Sequence, residues 1–133
     1  VVDVIVADAN VIIAASSPGH VHHARAREIL LEHGAAGVAL HSLTLAEVLV
    51  GPARAGQHEA ARAALDAAGI RSSAASDPGP TALALVRATA SVKMPDACVL
   101  ATAEHLGVPL ATFDGRLARE ATARGTAVIG LPA

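Results

Sequence analysis

Short runs of consecutive apolar residues alternate along this chain with stretches in which apolar positions recur every three or four residues. "VIVA" at Val4–Ala7 is a continuous β-branched run, the pattern of a strand covered on both faces. "AGVAL" at Ala36–Leu40, "GVPLAT" at Gly107–Thr112 and "TAVIG" at Thr126–Gly130 have the same character, and "AAGIRS" around Ile70 is a weaker candidate. Helical spacing is predicted over His20–His33, Ser42–Val50, Gln57–Ala68, Thr81–Ala90, Asp96–Leu106 and Gly115–Arg124, with a further helix beginning near Val11. "SSPGH", "EHGAAG", "VGPARAG", "SDPGP" and "HLGVP" mark the turns. Alternating strands and helices predict an α/β fold with a small, mainly parallel sheet of about 4–5 strands and helices on both faces. No repeat and no long linker divides the chain, so one domain over residues 1–133 is expected.

Composition narrows this picture. The hydrophobic fraction is 53%, much of it alanine, with one Phe and no Trp or Tyr, so helices should approach closely instead of being wedged apart by aromatics. Net charge is −2, which gives no bulk attraction to nucleic acid; any such role must rest on a local site. Cys98 is the only cysteine, so no internal disulfide can form, and its neighbours Ala97, Val99 and Leu100 predict a buried, inert thiol suited to a reducing cytosol. No signal-peptide pattern and no apolar run long enough to span a bilayer is present. With no initiating Met, a few residues are expected to precede Val1.

The acids then become the interesting residues. Asp8 follows the first strand and Asp114 follows "PLAT", so both should project from the carboxyl edge of the sheet, where parallel α/β folds bind ligands. Asp96 stands behind Pro95 at a helix start. Each has an ordinary explanation as a helix cap or dipole partner, Asn10 being an alternative cap to Asp8. Glu47 closes a capping-box spacing in "TLAE", yet if its helix starts at Ser42 it lies one turn in; both readings stand. If several acids converge, two like charges about 4 Å apart repel by roughly 4 kcal/mol at an effective dielectric of 20. They must take up protons or hold a cation. Asp, Glu, the Asn10 amide and the Thr112 hydroxyl are hard oxygen donors suited to Mg²⁺ or Mn²⁺, which makes metal-assisted phosphodiester hydrolysis the natural chemistry.

Other candidates fit less well. A phosphoacceptor domain would want an acidic pair after the first strand and a lysine after a late one, whereas Asp8-Ala9-Asn10 stands there and the only lysine is Lys93. A haloacid-dehalogenase-like phosphatase wants D-x-D at that position and a longer chain. "HVHH" at His20–His23 has no Cys or acid close by to complete a zinc set and is expected to be a polar helix start. "GPARAG" is a turn, not a phosphate cradle.

The ordered series "VIVADAN", "LTLAEVLV", "KMPDACVLATAEHLG" and "PLATFDGRLAREA" resembles the PIN-domain ribonucleases, and among them the VapC-like toxins of bacterial toxin–antitoxin pairs. The resemblance runs from Val1 to about Ile129. It implies that Asp8 and Asp96 are the principal metal ligands, with Glu47 close by and Asp114 completing the cluster, and that Asn10 and Thr112 support them. It implies a Mg²⁺- or Mn²⁺-dependent endoribonuclease acting on tRNA or rRNA, a cognate VapB-like antitoxin, a homodimer, and a bacterial cytoplasmic setting with no membrane association; separately, the alanine-rich helices are expected to supply the dimer seam. A PIN fold kept mainly to bind its antitoxin and an operator is the alternative. Basic residues should flank the acids; Lys93 and Arg116 are the candidate RNA contacts, with Arg119 and Arg124 nearby. With aromatics nearly absent, base stacking is expected to contribute little.

Overall fold

The computed structural model describes residues 3–130; Val1, Val2 and residues 131–133, which the expected domain extent includes, lie outside it. The chain forms β1 (Ile5–Ala7), α1 (Ala9–Ala15), α2 (His23–His33), β2 (Val38–Ala39), α3 (Ser42–Arg54), α4 (His58–Ala67) and β3 (Ile70–Arg71). A 3₁₀ turn at Ala74–Ser76 leads to α5 (Pro80–Thr89), α6 (Met94–Leu106), β4 (Leu110–Thr112), α7 (Gly115–Ala123) and β5 (Val128–Gly130). The sheet is entirely parallel, in the order β3-β2-β1-β4-β5. Strand order reverses direction at β1, so the crevice beyond the carboxyl ends of β1 and β4 is the topological switch point of the fold.

Period-two alternation explains how so short a sheet fills both sides. Ile5 and Ala7 pack with Val11, Ile12, Ile29, Val38, Leu40 and Leu45 beneath α1–α3, while Val6 faces Val86, Val99, Leu100, Leu110 and Leu117 beneath α5–α7. The helix over the second face, α6, is buried from Ala97 through Ala103, so it reads as a continuous small-residue core segment without an exposed stripe. Cys98 lies within that segment, fully buried. Burial, followed by the charges of Glu47 and Asp77, pushes its thiol up and keeps it protonated.

Several element boundaries differ from the sequence expectation for identifiable reasons. The strand expected from Gly107 begins at Leu110, because Gly107 is the left-handed cap of α6 (φ 67°) and Pro109 has no amide to donate. The helix expected to stop at Val50 continues through Gly51 and Pro52 to Arg54; the proline sits in the last turn, where it forfeits only one bond, and Gly56 at φ 69° then turns the chain. The helix expected from His20 starts at His23, since the His23 amide bonds to His20 in a tight i→i−3 turn.

One backbone crossing fixes how α2 and α4 meet β3. Gly69 has φ 83°, and a Cβ there would stand 2.0 Å from the Gly34 carbonyl oxygen. Gly69→Ala therefore meets both a forbidden backbone region and another chain segment's carbonyl; it should lower stability by at least about 1–3 kcal/mol. A shift of the urea midpoint is the readout, and an unchanged midpoint would show that this crossing is adaptable.

Candidate active site

The site is built outward from Thr112, the last residue of β4, which is 0% exposed. Its hydroxyl donates to Asp8 Oδ2 at 2.9 Å and accepts from the Asp114 amide at 3.0 Å and from the Asn10 side-chain amide at 3.4 Å. A hydroxyl has one hydrogen and two lone pairs, so every site on this oxygen is used. Asn10 completes the ring of contacts by accepting from the Phe113 amide at 3.2 Å. Five residues at two adjacent strand ends, Asp8, Asn10, Thr112, Phe113 and Asp114, are thus tied through polar atoms. Asn10 and Thr112, expected to support the acids, are brought together with Asp8 and the Asp114 backbone.

The three aspartates occupy helix starts, but each uses its position differently. Asp8 is the residue before α1, yet makes no capping bond from its side chain; it turns to Thr112 instead. Asp96 lies in the first turn of α6 behind Pro95, half-buried, where the helix dipole favours an anion. Asp114 does cap α7: its Oδ1 accepts from the amides of Arg116 at 2.8 Å and Leu117 at 3.1 Å. Its ordinary explanation is therefore true, and it leaves the second carboxylate oxygen free of capping bonds.

Asp8 is 8% exposed, and its carboxyl is pushed from the ordinary 3.8 up to about 6. Desolvation is the main cause; the Thr112 hydrogen bond pulls the other way, Asp96 adds to the rise, the Ala9 amide opposes it, and Asp114 adds again. Asp96 is raised by desolvation and then by Asp114, while Lys93 lowers it. Asp8, Asp96 and Asp114 consequently share one electrostatic neighbourhood, with Lys93 as the nearby cation acting on Asp96.

Glu47 comes from a different element. It is exposed on α3, lines an apolar groove with Ile13, Val48 and Leu65, and its charge acts on the Cys98 thiol, two residues beyond Asp96. The capping box is not formed: α3 starts at Ser42, with His41 accepting from the Leu43 amide at 3.1 Å, and Thr44 is buried inside the helix. Arg116 is exposed beside Asp114, whereas Arg124 is committed elsewhere, to Glu104 at 2.6 and 3.0 Å and to Thr89 at 2.8 Å. Arg124 is therefore removed from the set of cations flanking the acids. The structure also packs His22 against Phe113, next to these residues, an arrangement the sequence reading missed. The signal lay in Phe113 itself, the one aromatic carbocycle, flanked by Thr112 and Asp114.

The donor set fits a hard divalent cation in kind. Asp8, Asp96 and Asp114 supply only oxygens, and their mutual repulsion and Asp8's desolvation are what such an ion relieves. Among the described residues, no three His, Cys, Asp or Glu side chains already stand at the separations of a closed ligand set. Magnesium needs no such closed set, since it takes few carboxylates and completes its shell with water and phosphate oxygens.

The family model for the PIN domain matches residues 5–122. This chain belongs to the PIN-domain family. The PIN fold is shared at 22% identity with FitAcB from Neisseria gonorrhoeae, over 94% of this chain and 96% of that one, with a TM-score of 0.68. A toxin–antitoxin complex from Klebsiella pneumoniae matches at 25% identity over 97% and 99% of the two chains, TM-score 0.69. VapBC2 from Rickettsia felis, bound to a DNA fragment from its promoter, matches at 15% identity over 95% and 97%, TM-score 0.64. No curated protein matches the chain.

The buried carboxylate adds a pH-dependent contribution to the stability of this PIN domain. Because Asp8 binds its proton more tightly folded than unfolded, its contribution is full below about pH 4 and is lost as pH rises through about 6, by roughly 2–3 kcal/mol without metal. Asp96 adds in the same direction. Asp8→Asn should flatten the curve and raise the urea midpoint at pH 7; a midpoint that falls at pH 7 would mean the charge is better accommodated than its burial indicates. Thr112→Val removes the donor to Asp8, so the carboxyl should titrate above about 6 when followed by ¹³C NMR.

Proposed function

We propose that this PIN domain is a Mg²⁺- or Mn²⁺-dependent endoribonuclease, the VapC-like toxin of a toxin–antitoxin pair, acting in a bacterial cytoplasm. What carries the reading is the electrostatic coupling of Asp8, Asp96 and Asp114 at the switch point between β1 and β4. Holding ionisable acids together there costs stability, as the raised Asp8 and Asp96 testify, and function is the natural reason to keep such a cost.

Asp8 and Asp96 would hold the ion, Asp114 would contribute its uncommitted oxygen directly or through water, and Glu47 would reach the site from α3. A bound divalent ion lowers the pKa of a coordinated water and neutralises charge on the phosphodiester. Thr112 orients Asp8 by donating to Oδ2, which leaves Oδ1 for the ion. Asn10 fixes the Phe113 amide and thereby the course of the chain between Thr112 and Asp114. Lys93 and the exposed Arg116 flank the acids and would meet RNA phosphates.

Partners follow from the same reading. A VapB-like antitoxin is proposed, in keeping with the structural neighbours, which include a toxin–antitoxin complex and a VapBC2 assembly on promoter DNA. A homodimer is proposed as well, and the unit is taken as one PIN-like domain over residues 1–133. No helix among the described residues is long and apolar enough to cross a membrane. The substrate class is placed with tRNA or rRNA. A PIN-fold binding protein with little nuclease activity remains the second reading, and the promoter-bound VapBC2 neighbour favours a DNA-occupying complex for it.

Purified protein should cut structured RNA with Mg²⁺ or Mn²⁺ and stop when EDTA is added. Asp8→Asn and Asp96→Asn should each lower the rate by at least roughly 100-fold while retaining the far-UV spectrum, with Glu47→Gln costing less. Cleavage that survives both aspartate changes, in preparations free of contaminating nuclease, would reject the assignment.

A further inference from the structure

The loop joining α1 to α2 holds the histidines that their spacing assigned to a polar helix start, and the rings of His20 and His22 form a row that ends at Phe113, the residue between Thr112 and Asp114. The imidazole of His22 lies flat on Phe113, with centroids 4.4 Å apart and planes inclined by 12°. His20 adjoins His22 at 5.7 Å, tilted by 40°. The inner end of this row is anchored, because the Phe113 amide donates to Asn10 Oδ1. The loop is anchored too: the His20 amide donates to Ser17 O at 2.9 Å, the His22 amide to His20 Nδ1 at 3.0 Å, and a ring nitrogen of His23 pairs with the Ala14 carbonyl at 2.9 Å. His20 nevertheless remains exposed, and Val21 beside it is 86% exposed.

Two features separate this row from an ordinary polar loop. Hydrogen bonds fix the loop and the His20 ring, and stacking on Phe113 fixes the His22 ring, so little ordering entropy remains to be lost when something flat settles on them. It also adjoins Thr112 and Asp114, on the α1–α3 side of the sheet where Phe113 packs, whereas Lys93 approaches from α6 on the other side. A chain with a single Phe and no Trp or Tyr thus gathers two imidazoles onto that one ring, at the residue that joins Thr112 to Asp114. Unstacked RNA bases are bound by such flat faces, imidazole included.

We propose that His20 and His22, backed by Phe113, form a stacking subsite for an RNA base next to the phosphate that is cut; this rests on the nuclease reading above. The subsite is sequence-tolerant, since every base offers a π face. It positions the strand along the β4 side of the acids, with the phosphate backbone directed toward Lys93.

Binding tests the subsite independently of cleavage. Fluorescence anisotropy of a labelled single-stranded RNA oligonucleotide is measured in an Asp96→Asn background, with His20→Ala, His22→Ala and His22→Phe added in turn. A second set of oligonucleotides carries one abasic residue at each position. His20→Ala and His22→Ala should each weaken binding roughly 10-fold, and His22→Phe should restore it. One abasic position should cost the ring-intact protein the same factor and cost His22→Ala nothing more. Under turnover with the native acids, the ring variants should raise KM while kcat holds. Unchanged affinity in both alanine variants, or a loss of equal size on every abasic oligonucleotide, overturns the subsite. The two readings fail separately. Ring-dependent binding by a protein that never cuts RNA removes the nuclease assignment and keeps the subsite; cutting that is indifferent to the rings does the reverse.

Discussion

A carboxylate that is almost completely removed from water needs a partner, and in this protein the main partner of Asp8 is a neutral hydroxyl, helped by the Ala9 amide. Thr112 gives its one hydrogen to Asp8 and fills its lone pairs with the Asp114 and Asn10 amides. The bond opposes the desolvation of Asp8 without cancelling it, so the acid stays poised near 6. A lysine or arginine in place of the threonine would settle the charge outright and leave no reason for a cation to bind. The incomplete compensation keeps the pocket short of positive charge.

The parallel sheet makes that bond available. β1 and β4 are neighbours in register although their pairing residues lie about a hundred positions apart in sequence, with Ala7 opposite Ala111. Asp8 and Thr112 are the residues that follow immediately, so the ladder that aligns the strands also aligns the polar pair at its end. Gly130 belongs to the same arrangement: a Cβ there would stand 2.4 Å from the Thr112 carbonyl oxygen, so β5 closes on β4 without a side chain between them. Repulsion among the acids is thus opposed by backbone pairing and apolar packing spread over both faces of the sheet.

Much of this was legible in the chain. The β-branched run at Val4–Ala7 and the turns around it gave the first strand, and an acid just past each of two strands pointed to the carboxyl edge. The α/β class, the parallel sheet and the PIN likeness agree with the fold observed. The likeness grouped Glu47 with the aspartates; spacing alone left it between a capping box and a position one turn into α3, and the helix start at Ser42 decides for the second. Arg124 looked like a flanking cation because it is near Asp114 in sequence; one helix later it meets Glu104 across α6 instead. The row of rings was hidden for a similar reason. His22 and Phe113 are far apart along the chain, and no periodicity links them. Spacing reveals what one element presents, and contacts between loops lie beyond its reach.

Lys93, at the head of α6 and close enough to Asp96 to stabilise its charge, is the chain's one lysine. Side-chain amine chemistry on this protein is therefore confined to a single address at the edge of the acids. Acylation there would erase the positive charge beside Asp96 and leave every arginine untouched, and a fluorophore joined through the same amine would watch the mouth of the crevice from one defined point.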